Sequence, residues 1–223
     1  MIKNKNILKS PKDNTERQYD TLGNLIKLGL YDANGNSTGY AKYEYDANGN
    51  EIKKEYYNAD DNLEGYNKSE YDIVGNRFKF ELYDADGNRI KTERYDNNGE
   101  LERYTKYEYD TDGNLIKAEW YDADGNKTQG AFYGAGGNLR GYNKFEYDAN
   151  GNRVKFEHYD ADGNLEWHNK SEYDVVGNRV KFEHYEADGN LEWYNKSEYD
   201  ADGNKIKVEV YDADDNLVDT LSH

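Results

Sequence analysis

The side chains that could do chemistry in this sequence arrive in repeats. Asp160, Asp162 and Asn164, within Asp160-Ala161-Asp162-Gly163-Asn164, offer oxygens at the alternate spacing that calcium loops use, and similar runs recur along the chain. Calcium takes about six to eight converging oxygens, usually from a loop of roughly twelve residues. Five residues already committed to a turn fall short of that, and Asp174-Val175-Val176-Gly177-Asn178 keeps the turn while dropping the middle carboxylate. The run reads as structural, and no metal is expected. His158, His168 and His184 sit at repeat-related positions, where imidazoles on nearby strands could hold zinc. His158 and His184 fill the slot that Leu82, Trp120 and Val210 fill elsewhere, which favours packed rings over a metal site.

A third set is aromatic. Tyr40, Tyr66, Tyr104, Tyr142, His168 and Tyr194 share one position on the polar face of the longer units. If long and short strands alternate, most of these rings recur every ~10 Å, twice the strand spacing. Such a row suits stacking on sugars or on an extended chain. Cross-strand packing against lysine stems accounts for the same row without a ligand. For catalysis the inventory is poor: no cysteine, no Gly-x-Ser-x-Gly elbow, no phosphate loop and no unique carboxylate pair. An active site gathers different groups around one pocket, whereas here the same groups recur along a surface. Neither an enzyme nor a cofactor is expected.

The elements that must position these groups are strands and turns. A Tyr-Asp-x-x-Gly-Asn signature recurs with its Tyr at 19, 31, 45, 57, 71, 83, 95, 109, 121, 133, 147, 159, 173, 185, 199 and 211. The gaps of 12 and 14 alternate for most of the chain, giving a 26-residue double unit, and residues 153–178 match 179–204 at all but four positions. Asp at the first place and Gly at the fourth define a type I turn closed by a G1 bulge. Of the sixteen turns fourteen carry Gly there, and the exceptions are Asp61 and Asp215, a residue type that tolerates positive φ.

Between turns the apolar positions alternate. Val180, Phe182 and His184 fall on one face of Arg179–Tyr185, with Lys181, Glu183 and Tyr185 opposite. In the longer units Leu191 and Trp193 oppose Glu192, Tyr194, Lys196 and Glu198. These read as half-buried antiparallel strands. From turn Asn to the next Tyr a unit spans eight or ten residues, both even, so the apolar face is preserved while the register is staggered by about two residues per hairpin. The alternation fails where short units follow one another, 71 to 83 to 95 and 109 to 121 to 133. Strict parity then inverts the strands between residues 88 and 121, placing Ile90 and Ile116 on the charged side unless bulges near 84–88 and 121–126 reset it. The expected fold is all-β: a tandem-repeat antiparallel β-meander, elongated and twisted, coiled or partly closed. Residues 1–16 are expected as a lead-in and 17–223 as an array of about sixteen strand-turn units.

Composition limits partners and compartment. Hydrophobic residues make up 35% while Tyr counts 24, so burial must come from amphipathic rings rather than a thick aliphatic core. A net charge of −17 opposes approach to phosphate backbones and anionic lipid, so nucleic acid is a poor partner. The start, Met1 to Ser10, carries Lys3, Lys5 and Lys9 with no apolar run behind them, so neither a secretory leader nor a transmembrane segment is expected.

Tyr45-Asp46-Ala47-Asn48-Gly49-Asn50 and Tyr147-Asp148-Ala149-Asn150-Gly151-Asn152, with their recurrences from about residue 17 onward, resemble the RHS or YD-repeat family. In that family long arrays coil into β-shells, some enclosing toxin domains, while other members are secreted or surface-attached and make adhesive contacts. The likeness is to the repeat part, with neither a self-cleaving core nor a toxin domain expected in these residues. The resemblance implies a non-enzymatic role in binding or scaffolding at a cell exterior, on an extended glycan or a protein. The charge and the bare N-terminus suit a different role, an acidic intracellular immunity-like or antitoxin-like protein that neutralises a basic partner.

Overall fold

A computed structural model describes residues 7–10 and 14–222, and every regular element among them is a β-strand. The chain divides into two units, Met1–Tyr107 and Glu108–His223. The first holds β1 (Ile7–Ser10), β2 (Thr15–Tyr19), β3 (Leu25–Tyr31), β4 (Ser37–Tyr45), β5 (Glu51–Asn58), β6 (Leu63–Tyr71), β7 (Arg77–Asp84), β8 (Arg89–Tyr95) and all but the last two residues of β9 (Leu101–Tyr109). The second holds β10 (Leu115–Asp122), β11 (Lys127–Tyr133), β12 (Leu139–Tyr147), β13 (Arg153–Asp160), β14 (Leu165–Tyr173), β15 (Arg179–Glu186), β16 (Leu191–Tyr199), β17 (Lys205–Asp212) and β18 (Leu217–Ser222). Within each unit every strand pairs antiparallel with the next, so both are all-β meanders of tandem hairpins, and neither closes into a barrel among the described residues. Pairing starts earlier than the sequence suggested. β1 and the first residues of β2 lie inside the expected lead-in, and Lys9 already faces Glu16 across the first hairpin.

The turns have the chemistry their residues dictate. In the turn after β13, the Gly163 amide donates to the Asp160 carbonyl at 3.3 Å and the Asp160 amide to the Asn164 carbonyl at 3.0 Å. Gly163 takes φ 89°, and Asp61 and Asp215 take 64° and 66° at the same place. The Asp160 carboxylate closes the loop: Oδ1 accepts from the amides of Asp162 and Asn164, and Oδ2 from the Asn164 side chain. The Asn164 side-chain bond, with these amides behind it, holds Asp160 below the usual aspartate range. In this turn the first carboxylate of the calcium reading, that of Asp160, is thus engaged by its own loop.

One register shift recurs beside fifteen of the sixteen signature tyrosines, all but Tyr109, such as between His158 and Tyr159. Because the bulge is the same at each of these hairpins, it adds a constant and leaves the difference in strand length to act. The pairing line from Phe145 runs through Phe156 to Asn169. The repeat equivalent of Phe145 is Ser171, so the line falls two residues short per pair of strands, which is the stagger expected from unequal units.

Parity inverts in the middle as the count of short units requires. In β8, Lys91 pairs with Leu82 and Glu93 with Phe80, so its charged residues lie on the apolar side of β7. In β10, Trp120 pairs with Gln129, which faces Lys144. The β7–β8, β8–β9 and β10–β11 pairings each carry only the one recurring shift, and Ile90 and Ile116 are left 37% and 36% exposed. Burial is shallow throughout. Ala41, Ala118, Ala131, Phe145 and Tyr194 are the buried hydrophobic residues among those described, and no large side chain is wholly enclosed.

Candidate functional site: tyrosine pairs capped by lysines

The candidate row is built from one long and one short strand at a time. In β12 and β13, Tyr142 lies directly opposite Tyr159, and the rings stack with centroids 4.7 Å apart and planes 6° from parallel. The same pairing joins Tyr40 to Tyr57 at 4.7 Å, Tyr66 to Tyr83 at 4.6 Å and Tyr194 to Tyr211 at 4.8 Å. His168 takes the tyrosine place in β14 and stacks on Tyr185 at 4.5 Å. Such pairs add about 0.5–1.5 kcal/mol beyond the area they bury.

Lysines cover the outer faces. Lys27 lies 3.9 Å over the Tyr40 ring and Lys42 4.4 Å over Tyr57. Lys144 covers Tyr159 at 4.7 Å, Lys170 covers Tyr185 at 4.8 Å, and Lys181 and Lys196 flank Tyr194 and Tyr211 at 5.4 and 5.1 Å. The ring quadrupole attracts each ammonium, for about 0.5–1 kcal/mol at exposed sites. With one face on a partner ring and the other under an ammonium, these rings offer a visitor their edges and hydroxyls rather than a free platform. Tyr194 is only 6% exposed.

A second motif lies within single strands. In β15, Glu183 accepts from Lys181 at 2.6 Å and from the Tyr185 hydroxyl at 2.9 Å. Lys53, Glu55 and Tyr57 repeat this chain at 2.7 and 3.0 Å, and Lys207, Glu209 and Tyr211 at 2.6 and 3.0 Å. The Lys53 hydrogen bond holds Glu55 below the usual carboxylate range. Burial beside Glu183 pushes the Tyr185 hydroxyl up to about 12, and burial near Glu81 does the same to Tyr83. Tyr194 reaches about 12 for a different reason, its hydrogen bond to Asp215 at 2.8 Å. Burial pushes the His168 imidazole down, with Lys170 adding to the effect.

The six candidate positions do not share one face. Tyr40 and Tyr66 lie together in the first unit, and Tyr142, His168 and Tyr194 lie together in the second. Tyr104 departs from the expected row: it pairs with Glu93, which pairs with Phe80, so it stands on the apolar side of β7. The cause is the parity inversion, which carries β9 over with β8. His158 and His184 sit on the face opposite the tyrosine pairs. Each Nδ1 lies 2.6 Å from an asparagine Oδ1, of Asn143 and Asn169, and each ring packs against Trp167. Each Nε2 lies beside a carboxylate, Glu166 at 3.2 Å from His158 and Glu192 at 3.4 Å from His184, so each ring is held between an asparagine, a glutamate and a tryptophan. Packing against lysine stems was expected from sequence, though the individual lysines were not named; a lysine two residues after each of the six candidate positions was the signal for them.

The chain is thus an all-β tandem-repeat protein whose surfaces repeat one ring-and-charge pattern. No family model matches it, and no curated protein matches it. Among solved structures it is similar to a TcdB2-TccC3 crystal structure lacking the hypervariable C-terminal region, at 14% identity and a TM-score of 0.34. That alignment covers 94% of this chain but 12% of the other, so the chain spans a small part of that protein's length. The Photorhabdus luminescens Tc holotoxin pore gives 12% identity, a TM-score of 0.20, and 92% and 16% coverage. A porin-like protein from Bacteroides uniformis gives 12% identity, a TM-score of 0.22, and 92% and 86% coverage. At these scores function has to be argued from the chain's own residues. No helix among the described residues is long and apolar enough to cross a membrane.

Proposed function

We propose that this chain is a non-catalytic module of the RHS or YD-repeat type that binds or scaffolds through its sheet surface, on an extended glycan or protein at a cell exterior. The observation that carries the reading is the recurrence of the lysine-capped ring pair on successive hairpins. A surface that presents the same edges, hydroxyls and ammoniums at each step gains affinity by the number of steps a ligand spans. Catalysis is no part of this reading, because polar groups such as Lys181, Glu183 and Tyr185 bond to one another in a chain that recurs along the sheet.

The test is titration of chito- and cello-oligosaccharide length series. Longer members should bind more tightly, Tyr194→Ala should weaken binding modestly, and joint replacement of Tyr40, Tyr66, Tyr142 and Tyr194 should weaken it far more, with folding checked by circular dichroism. Equal affinity for short and long members would end the surface reading. The carboxylates of the turns and the net charge of −17 favour a second reading, capture of a basic protein. It expects binding that collapses at high salt.

A further inference from the structure

The lysine–glutamate–tyrosine chain is broken in two short strands: β11 has Gln129, Ala131 and Tyr133 at its places, while β3 keeps the lysine and loses the glutamate, and a cavity lies at the β3 break. In β3 the three positions are Lys27, Gly29 and Tyr31, so the residue that should carry the carboxylate has no side chain. The neighbouring strand explains the substitution. Where β5, β7, β13, β15 and β17 have their glutamate, the preceding long strand sets a lysine directly opposite: Lys42 for Glu55, Lys68 for Glu81, Lys144 for Glu157, Lys170 for Glu183 and Lys196 for Glu209. Opposite Gly29 stands Glu16. A glutamate at 29 would face a like charge across the pair, which is unfavourable. The carboxylate has in effect moved one strand over, and the Tyr31 hydroxyl now donates to Glu16 Oε2 at 3.1 Å.

The move leaves Lys27 behind. Lys53, Lys79, Lys91, Lys117, Lys155, Lys181 and Lys207 each pair with the glutamate two residues on, whereas Lys27 makes no ion pair among the described residues and rests over Tyr40. The cavity beside it has a volume of about 160 Å³, and its lining includes Glu16, Lys27, Gly29, Tyr31, Tyr40 and Asp61. A cavity of about 150 Å³ holds one six-membered ring. The lining rules on chemistry. One ammonium against two carboxylates disfavours an anion, and walls that both donate and accept hydrogen bonds disfavour an apolar occupant. A neutral ring bearing hydroxyls satisfies both signs: its O–H groups donate to Glu16 and Asp61, and its oxygens accept from Lys27.

We infer that this cavity is a discrete subsite for a single neutral sugar ring. The inference rests on the glycan branch of the proposed function, and differs from it in needing one position rather than a row.

The probes are D-glucose, D-galactose, D-mannose and N-acetyl-D-glucosamine, each titrated into the full ¹⁵N-labelled chain, with sodium glucuronate as the charged counterpart. At least one neutral sugar should shift the Gly29 and Gly39 amides saturably, and glucuronate should bind more weakly than the neutral sugar. Gly29→Gln fills the cavity with the uncharged counterpart of the usual glutamate, and a Cβ there would meet side chains alone, the Tyr31 ring at 3.3 Å and its hydroxyl and the Glu16 Cβ at 3.5 Å. That variant should fold and lose affinity by about tenfold or more. Lys27→Met, which keeps the stem, should weaken binding in the same direction. No shift with any of the four sugars, unchanged binding in the glutamine variant, or tighter binding of glucuronate would each overturn the assignment. A chain that binds long oligosaccharides but no monosaccharide loses the subsite and keeps the surface reading. A chain whose monosaccharide binding is abolished by Gly29→Gln, with no gain for longer oligosaccharides, keeps the subsite and loses the row.

Discussion

Strands β13 to β16 and strands β7 to β9 are made from the same units, yet only the first group is regular. In β13 to β16 short and long strands alternate, and each signature tyrosine of a short strand stacks on the ring of the long strand before it, as Tyr159 does on Tyr142. In β8 a short strand follows a short strand. Its Lys91–Glu93–Tyr95 chain still forms, with Lys91 to Glu93 at 2.6 Å and Tyr95 bonded to Glu93, but it stands on the face where its neighbour β7 carries Phe80 and Leu82. Tyr95 there takes the Arg77 guanidinium over its ring at 4.8 Å, the neighbour's cation replacing the neighbour's ring. Contacts encoded within one strand survive a change of face, whereas contacts between strands depend on the length of the neighbour.

The largest effect expected from this comparison is on the turns, which are common to both regions. Gly163→Val forces a β-branched residue into φ 89°, at a cost of about 1–3 kcal/mol in backbone strain, and Gly99→Val at φ 82° should cost as much. Asp162→Ala should stay within about 0.5 kcal/mol. Urea denaturation of the three variants checks this, and equal midpoints for Gly163→Val and Asp162→Ala would remove the turn assignment.

A middle-sized effect separates the regions. A double-mutant cycle on Tyr142 and Tyr159 should give a coupling of about 0.5–1.5 kcal/mol. The cycle on Arg77 and Tyr95 should give a coupling that falls as salt rises, since it is cationic. Salt-independent coupling in both would erase the distinction. The smallest effect concerns Ile90 and Ile116, which the inversion leaves partly in water: changing either to Thr should alter stability by less than about 0.5 kcal/mol, measured in the same denaturant. A loss near that of a buried isoleucine would mean that the inverted face is covered.

Much of this was legible in the sequence, because turn sterics and strand parity are local rules. Gly163, Asp61 and Asp215 announced positive φ, and the spacing of the signature tyrosines implied both the stagger and the inversion. The placement of Tyr104 followed from the same parity and was missed only because the ring row was aligned by motif instead of by face. The stack of Tyr40 on Tyr57 was harder to see, since it needs the register between two strands. The cavity at Gly29 left a plain signal, Lys27-Leu28-Gly29-Leu30-Tyr31 in place of lysine-x-glutamate-x-tyrosine, but its meaning depends on Glu16 lying opposite.

The turn hydrogen bonds also bear on how the molecule ages. Asn48-Gly49, Asn98-Gly99 and Asn150-Gly151 are dipeptides prone to deamidation, in which the glycine nitrogen attacks the asparagine side chain to form a succinimide. In each of these turns that nitrogen already donates its proton to the carbonyl of the aspartate three residues earlier, Asp46, Asp96 and Asp148, at 3.1 Å. The attack requires the nitrogen to give up both its proton and its orientation, so the hairpin shields the bond while it stays closed. Shelf life should then follow local opening of individual turns, and a stored sample should accumulate isoaspartate first wherever a hairpin frays.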